Sequence, residues 1–286
     1  MTKEEVLAKV RFYAELRGLR EYTIKSYYSK VKLYQNHFDK PATELDISHI
    51  QSYLHYLRTE KKHATGSINI CNCSLRFLYN VVLDKPLNLH KIPRIRKQHS
   101  FPDILTRDEI SKIFSVCNKV RDKCILMTTY SAGLRVGEVT NLKVSDIDSN
   151  NMQILIRNGK GGKDRYAILS ETNLEILREY WYACRPAEWL FSGKIRPGKP
   201  MGTKSIQNIF HKYLKLAGIS KKVTTHSLRH AFATHLLEDG VSIYHIKQLL
   251  GHADISTTCR YLRITKISDL NVISPIDKMF GGDDNA

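Results

Sequence analysis

Three prolines in a short basic stretch limit what this chain can fold into, because the helix patterns on either side cannot run through them. They stand among lysines, arginines and polar residues, at Pro86, Pro93 and Pro102. Proline removes a backbone donor and restricts the residue before it, so neither a long helix nor a central strand is expected here. We predict a basic linker at 86–102, between a domain at 1–85 and a second domain that begins at 103. A chain of 286 residues is long enough for both domains to bury a core, with a single domain as the alternative that length alone leaves open.

The part before the linker predicts a small all-helical module. Apolar residues recur at helical spacing in four segments, and we expect the second helix to begin with Thr23 as its N-cap and to end at Pro41. Basic residues alternate with the apolar ones, as in modules that face a DNA backbone. The predicted DNA contacts are Lys25, Lys30, Lys32 and Arg76 in the module, Arg94 and Arg96 in the linker, and Lys163 in the second domain.

The second domain is predicted to be mainly helical with one β-hairpin. Thr106, followed by acidic residues, is a helix N-cap that opens the domain. Residues 152–156 and 166–169 have strand character, and the glycine-rich turn between them carries Lys160 and Lys163. The remainder is again helical. The predicted fold class is therefore mainly α with a small β-sheet, an α+β fold.

The charge of the chain indicates a polyanionic partner. The formal net charge is +17 and the pI is about 9.6, and uncompensated lysines and arginines attract nucleic acid through phosphate contacts and counterion release. The basic residues are spread along the chain rather than gathered on one amphipathic helix, which disfavours an anionic membrane. The sequence has neither an apolar run of membrane-spanning length nor an N-terminal signal peptide, so we expect a cytoplasmic protein.

No metal and no cofactor is predicted. The six cysteines have neither the paired spacing of zinc ligands nor a redox CxxC. His226 and His230 have a spacing that zinc can use, but Ser227 stands where a metalloprotease carries glutamate. The turn that holds Lys160 lacks the GxxxxGK[ST] pattern of nucleotide-binding loops.

Residues 225–261 carry side chains suited to chemistry at a phosphodiester. Arginine presents a fork of donors to two phosphate oxygens, histidine moves a proton near neutral pH, and tyrosine supplies a hydroxyl nucleophile. His226 and Arg229 share one face of a helix near its N-terminus, where a phosphate is favoured. Tyr261 follows a helix stop at Gly251 and a threonine-rich helix start.

Five motifs, in this order and spacing, resemble those of the tyrosine recombinases, or phage integrase family. They are Gly133-Leu134-Arg135-Val136-Gly137-Glu138, Gly159-Lys160-Gly161-Gly162-Lys163-Asp164-Arg165, His226-Ser227-Leu228-Arg229-His230, Leu250-Gly251-His252 and Tyr261. The resemblance covers the whole chain and implies a SAM-like core-binding domain followed by a catalytic domain at 103–267. The compact length suits the two-domain form of the Xer or integrase type. The tail at 268–286 resembles a segment that docks on a neighbouring protomer, with packing inside its own chain as the alternative.

The resemblance implies how the DNA strand is cut. Arg135 and Arg229 would clamp the non-bridging oxygens of the scissile phosphate while Tyr261 attacks phosphorus, which forms a 3′-phosphotyrosyl link and frees a 5′-hydroxyl. A second DNA hydroxyl can then reverse the step without ATP or metal. In this family four protomers exchange strands of two duplexes through a Holliday junction. The implied partners are double-stranded DNA with a specific recombination site, a homo-tetramer of the chain, and accessory DNA-bending proteins.

The resemblance also implies acid–base roles. Lys160 would protonate the leaving 5′ oxygen, and Lys163 is the competing residue for that role. His226 would act as general base or acid toward the tyrosine oxygen, and His252 would hydrogen-bond the phosphate. Glu138 would orient the site rather than react.

Two other functions stay open at this point. A type IB topoisomerase or a hairpin-forming resolvase would share the cleavage chemistry without exchanging partners, and the topoisomerase would relax DNA without a specific site. A non-catalytic DNA-binding regulator would keep the fold and form no covalent adduct.

Overall fold

The computed structural model describes residues 1–96, 103–157, 164–193 and 198–262. Packing divides the chain into two compact units, Met1–Ser100 and Phe101–Ala286. The division falls within the predicted linker at 86–102. None of the helices in the described ranges is both long and apolar enough to cross a membrane.

Within residues 1–96, four α-helices build the N-terminal unit. They are α1 (Lys3–Leu16), α2 (Glu21–Phe38), α3 (Ile47–Thr59) and α4 (Thr65–Phe77), with a π-helical turn at Leu78–Val82 and 3-10 turns at Ala42–Glu44 and Leu89–Lys91. Thr2 and Asp46 cap α1 and α3 with their side-chain oxygens. The apolar faces share one core, in which the hydroxyls of Tyr34 and Tyr79 lie 3.1 Å apart. The predicted helical module is confirmed.

Helix α2 begins earlier than predicted. Its first helical residue is Glu21 and its N-cap is Arg20, so the prediction of Thr23 as N-cap is wrong. The Thr23 amide already donates to the Arg20 carbonyl (2.7 Å), inside the first turn. An acidic residue in the first turn interacts favourably with the helix dipole, which explains a start at Glu21 without a side-chain cap. The helix ends at Phe38, since Asp39 takes the left-handed conformation (φ 50°) that closes helices.

The N-terminal unit continues past the predicted boundary at residue 85. Ile92 is buried in its core, and its carbonyl accepts hydrogen bonds from Nδ2 of Asn72 (3.2 Å) and Nη2 of Arg76 (2.6 Å). Asn69 donates to the Ile95 carbonyl (2.9 Å) and accepts from its amide (3.0 Å). The first part of the proline-rich segment therefore packs against α4 as far as Ile95.

The second unit combines helices with a small antiparallel sheet. Its helices are α5 (Arg107–Ser115), α6 (Val120–Ser131), α7 (Val136–Thr140), α8 (Glu171–Cys184), α9 (Thr203–Leu216), α10 (Thr225–Glu238), α11 (Ile243–Leu250) and α12 (Ile255–Leu262). Its strands are β1 (Ile147–Asp148), β2 (Gln153–Ile156) and β3 (Arg165–Ile168), in the order β1-β2-β3. Ile154 pairs with Ala167, both buried, so one face of the hairpin lies on the core. The predicted hairpin and fold class are confirmed.

Helix α10 organises this unit because it is buried on most of its surface. It packs against α6, α9, α11 and α12, and buried residues occur along almost its whole length. A helix that is apolar on several sides belongs inside a core. Its first two turns carry His226, Arg229 and His230, so these side chains start from a rigid part of the fold.

Candidate active site

The turn between α6 and α7 brings Arg135 and Glu138 to the site. Gly133 in this turn has φ +58°, which favours glycine, and an added Cβ would lie 2.4 Å from Cδ1 of Phe232. The backbone therefore packs directly on α10. Arg135 is the N-cap of α7, and its backbone N–H donates to Oε2 of Glu138 (2.8 Å). This short cap fixes the two side chains relative to each other.

Glu138 lies between three arginines of the described part of the chain. Nη1 of Arg135 donates to its Oε1 (2.7 Å). Arg165 donates from Nη1 to Oε1 (2.9 Å) and from Nη2 to Oε2 (2.8 Å). Nη1 of Arg229 lies 3.6 Å from Oε2. One carboxylate thus aligns all three guanidinium groups, which supports the orienting role predicted for Glu138.

Glu138 is ionised despite its burial. Its side chain is 8% exposed, and burial by itself would raise its pKa, but the hydrogen bonds and charge of Arg165, with smaller effects of Arg135 and Arg229, lower the pKa to about 2. At neutral pH the group therefore carries a full negative charge toward its arginine partners.

Arg229 is fully buried and held by backbone carbonyls. Its Nη1 donates to the Gly133 carbonyl (2.7 Å) and its Nη2 to the Leu250 carbonyl (2.5 Å). Burial, followed by the charge of Arg135, lowers the pKa of Arg229 to about 9, so it stays cationic at neutral pH. A buried cation with fixed orientation is suited to bind an anion with little rearrangement.

Helix α12 carries Tyr261 into the core of its own chain. The tyrosine is 3% exposed and belongs to the same apolar cluster as Phe232 and Leu250. Its hydroxyl lies 3.1 Å from Nδ1 of His230. Leu250 of this cluster also holds Arg229, because its carbonyl accepts the hydrogen bond from Nη2 of the guanidinium.

His226 contacts His230, and His252 contacts Tyr261. The ring of His226 meets that of His230 edge-on, with 4.5 Å between centroids. Partial desolvation, followed by the charges of Arg229 and Arg135, lowers the pKa of His226. The ring of His252 stacks toward Tyr261 at 6.4 Å, and its Nδ1 lies 2.9 Å from Oγ1 of Thr258.

Two residues that contact this site had no predicted role. Arg165 was part of a motif. The alternation of side chains along β3 could have indicated that it points inward, because it shares one face of the strand with buried Ala167. His230 was also part of a motif, one helical turn after His226, and so on the same face of α10. Neither strand alternation nor helix periodicity indicates which group these two side chains contact.

The predicted lysines of the hairpin turn, Lys160 and Lys163, lie outside the described residues. The other predicted DNA contacts belong to the N-terminal unit. Four of them are exposed, namely Lys25, Lys32, Arg94 and Arg96, and two are half-buried, namely Lys30 and Arg76. The guanidinium of Arg76 is engaged within its own unit, where Nε donates to Oδ1 of Asn72 (2.7 Å).

In the part of the chain that the structure describes, no three His, Cys, Asp or Glu side chains are grouped to hold a metal ion. The site presents arginine, histidine and tyrosine side chains. These groups can bind an oxyanion, move a proton and attack phosphorus.

Comparison with known sequences assigns each of the two units to a family model. The model of the phage integrase family matches residues 103–267, and the model of the phage integrase N-terminal SAM-like domain matches residues 6–89. The first match contains every residue of the candidate site.

Individual relatives agree with this assignment. A putative integrase/recombinase of Sinorhizobium fredii, y4qK, is 40% identical over 264 residues, which cover 92% of this chain and 85% of the relative. The tyrosine recombinase XerA of Pyrococcus horikoshii is 36% identical over 269 residues, which cover 93% and 91%. In fold, the chain is similar to a lambda integrase tetramer bound to a Holliday junction, with a TM-score of 0.75 and 20% identity over 96% of this chain and 80% of that one. The comparisons do not favour a topoisomerase or a regulator. The chain belongs to the phage integrase family of tyrosine recombinases, the enzymes of site-specific DNA recombination.

Proposed function

We propose that this recombinase cuts and rejoins DNA through a covalent link between Tyr261 and a 3′-phosphate. The observation that carries the proposal is that Tyr261 is buried in the same cluster of its own chain as Leu250, whose carbonyl holds the buried cation Arg229. A hydroxyl nucleophile beside a fixed guanidinium is the arrangement needed to attack a bound phosphodiester.

Arg135 and Arg229 hold the non-bridging oxygens of the scissile phosphate. Burial and the carbonyls of Gly133 and Leu250 support this role for Arg229, because they fix its guanidinium before DNA binds. Arginine has more N–H donors than these two carbonyls use, so donors remain for phosphate. The side chain of Arg135 is 25% exposed, so it can contact both Glu138 and a ligand.

In the proposed step, Oη of Tyr261 bonds to phosphorus as the bond from phosphorus to the 5′ oxygen breaks. The leaving oxygen takes a proton from the hairpin, either from Lys160 or from the competing Lys163. His226 serves as general acid or base, and His252 donates a hydrogen bond to the phosphate as charge develops. Glu138 keeps the arginines aligned. The phosphotyrosine conserves the energy of the broken bond, so rejoining needs no ATP.

The proposed substrate is double-stranded DNA with a specific recombination site, bound by a homo-tetramer with accessory DNA-bending proteins. The net charge of +17 supports a DNA partner. The fold is similar to that of a lambda integrase solved as a tetramer on a Holliday junction, which supports the assembly. Phosphate contacts in the N-terminal unit and linker are proposed for Lys25, Lys30, Lys32, Arg76, Arg94 and Arg96. We propose that the protein acts in the cytoplasm, where bacterial or archaeal DNA lies.

The proposed domain roles follow the same order as the chain. Residues 1–85 form the helical part of the core-binding domain, 86–102 the basic linker, whose first part packs on that domain as far as Ile95, and 103–267 the catalytic domain. The family matches at residues 6–89 and 103–267 support two domains in this order. Residues 268–286 dock on a neighbouring protomer in the assembly.

A nicked suicide substrate that carries the native recombination site tests the proposal. After cleavage the short downstream strand diffuses away, so the covalent complex accumulates and appears as a protease-sensitive band on a denaturing gel. We expect this band with the wild type and none with Tyr261→Phe. Tyr244→Phe, at a tyrosine of α11 that is 70% exposed, is the matched control and should form the adduct. An adduct that persists in Tyr261→Phe would overturn the assignment of the nucleophile.

A further inference from the structure

Of the two histidines at the start of α10, His230 lies within hydrogen-bond distance of Tyr261, and His226 packs against His230. Nδ1 of His230 lies 3.1 Å from the hydroxyl of Tyr261, and their ring centroids are 5.6 Å apart. His226 is one turn earlier, and its ring packs edge-on against His230. The imidazole within hydrogen-bond distance of the attacking oxygen is therefore the one that follows Arg229 in sequence.

We infer that His230 accepts the hydrogen bond of the Tyr261 hydroxyl and takes its proton when this oxygen attacks phosphorus. The inference deepens the proposed function and rests on it. A tyrosine hydroxyl is protonated at neutral pH, so it must lose a proton to form a phosphodiester bond. A general base has to lie within about 2.6–3.2 Å of the oxygen that it deprotonates, and His230 meets this condition.

The packing of α10 against α12 preserves the contact. His230 projects from the buried helix α10, and Tyr261 is locked by its place in the apolar cluster with Phe232 and Leu250. The tyrosine is 3% exposed and His230 is half-buried, so bulk water competes poorly for the hydroxyl proton. The pair is thus pre-organised by packing within its own chain.

The proton balance of the step is closed in both directions. During cleavage, the bond from Oη to phosphorus forms and the bond from phosphorus to the 5′ oxygen breaks; the hydroxyl proton moves to Nδ1 of His230, and the leaving oxygen takes a proton from the hairpin lysine. During rejoining, the 5′-hydroxyl returns its proton to that lysine as it displaces the tyrosine, and the imidazolium of His230 returns its proton to Oη. Removal of His230 should therefore slow both cleavage and rejoining. In this role toward the tyrosine oxygen, His230 replaces His226.

Two substitutions separate proton transfer from simple positioning. His230→Asn keeps an oxygen that can accept the tyrosine hydrogen bond, but an amide cannot take the proton. His230→Ala removes both functions. We expect single-turnover adduct formation and rejoining, measured with saturating protein on the nicked substrate, to fall by roughly 100-fold or more in both variants. DNA affinity and the thermal midpoint should stay near those of the wild type, and His245→Asn, at an exposed histidine of α11, should react normally.

A substrate with sulfur in place of the leaving 5′ oxygen distinguishes the loss of a general base from the loss of a general acid. Because sulfur leaves without a proton, it corrects a missing acid but not a missing base, so it should not restore His230→Asn. Wild-type speed in His230→Asn, or restoration by sulfur, would overturn the inference and leave the proposed function intact. Failure of the wild type itself to form an adduct on its recombination site would overturn both.

Discussion

Arg165 holds both oxygens of the Glu138 carboxylate, with Nη1 2.9 Å from Oε1 and Nη2 2.8 Å from Oε2. Its Nε also donates to the Leu249 carbonyl at the end of α11 (3.1 Å). One side chain of β3 therefore joins α7 to the helix end that precedes Gly251 and His252. The arginine-aligning carboxylate and the His252 turn are parts of one hydrogen-bonded unit.

Loss of Arg165 should destabilise the protein. Breaking a buried ion pair costs roughly 3–5 kcal/mol, and we expect Arg165→Ala to lower the free energy of unfolding by about 3 kcal/mol, the lower limit, because Arg135 still contacts Glu138. Arg165→Lys keeps the charge without the fork and should recover part of the loss. Urea denaturation measures these differences. Arg11→Ala, whose ion pair with Glu15 lies in solvent, is the control, and an equal loss there would contradict the prediction.

Gly133→Ala should damage the contact between the α6–α7 turn and α10. The position has φ +58°, and an added Cβ would lie 2.4 Å from the Phe232 ring. Overpacking alone costs roughly 1–3 kcal/mol, and the left-handed backbone adds to it. Gly218→Ala separates the two effects, because Gly218 has φ +70° and nothing within 4 Å of the added atom. Thermal unfolding should show the larger loss at Gly133, and equal losses would mean that the ring contact contributes nothing.

The stability of the protein should fall on the acid side because of His235. This residue is buried, with Nδ1 2.8 Å from the Tyr130 hydroxyl, and burial, followed by the charge of Arg107, lowers its pKa to about 4 from the ordinary 6.5. The unfolded chain therefore binds this proton first as the pH falls. The contribution of neutral His235 to the free energy of unfolding is complete above pH 6.5. It is lost as the pH falls toward 4, at up to about 1.4 kcal/mol per pH unit.

The variant His235→Gln isolates this effect. It cannot take the proton, so its free energy of unfolding should depend less on pH than that of the wild type between about pH 7 and pH 5. Denaturant unfolding of both proteins at several pH values gives the two slopes. Parallel slopes would show that His235 titrates alike in the folded and unfolded chains.

Tyr261 should act on the phosphate bound by its own protomer. It packs with Phe232 and Leu250 of its own chain, and the Leu250 carbonyl accepts a hydrogen bond from the Arg229 of that chain. A mixture of Tyr261→Phe with Arg229→Lys on one recombination site should therefore form no more adduct than either variant alone. Adduct formation that recovers on mixing would indicate a tyrosine supplied by a neighbour.

The two hairpin lysines can be distinguished by the leaving group. Lys160→Ala should slow cleavage of normal DNA by roughly 100-fold or more if Lys160 is the general acid, and a 5′ sulfur leaving group should restore most of the rate. Lys163→Ala should then show weaker DNA binding with little change in the single-turnover rate. The reverse pattern would transfer the acid role to Lys163.

The sequence predicted which segments are helices better than where they begin. The apolar spacing of α2 was clear, whereas its start depended on competition between Thr23 and a first turn that Glu21 stabilises. Strand β1 was not predicted, because Ile147–Asp148 is too short to show a period and is a strand only through its pairing with β2.

The site was partly predictable for a related reason. The motifs identified Arg135, Arg229 and Tyr261, because arginine is suited to bind phosphate and tyrosine to act as a nucleophile. Arg165 was missed as a site residue because its contacts are tertiary, reaching 27 residues back to Glu138 and 84 residues forward to Leu249. His230 was missed because a helix face contains several side chains, and only the packing of α12 selects the one that meets the hydroxyl.

The net charge of Glu138 and its three arginines can be compared with the charge on the phosphodiester before and after tyrosine attack. Among the described groups at this carboxylate, three positive charges meet one negative charge, which leaves an excess of two. A phosphodiester in DNA carries a single negative charge, while the five-coordinate species formed by tyrosine attack carries a second. Under the proposed mechanism, the site is matched in charge to the transition state rather than to resting DNA, so its electrostatic attraction grows as the bond to Tyr261 forms and lowers the barrier.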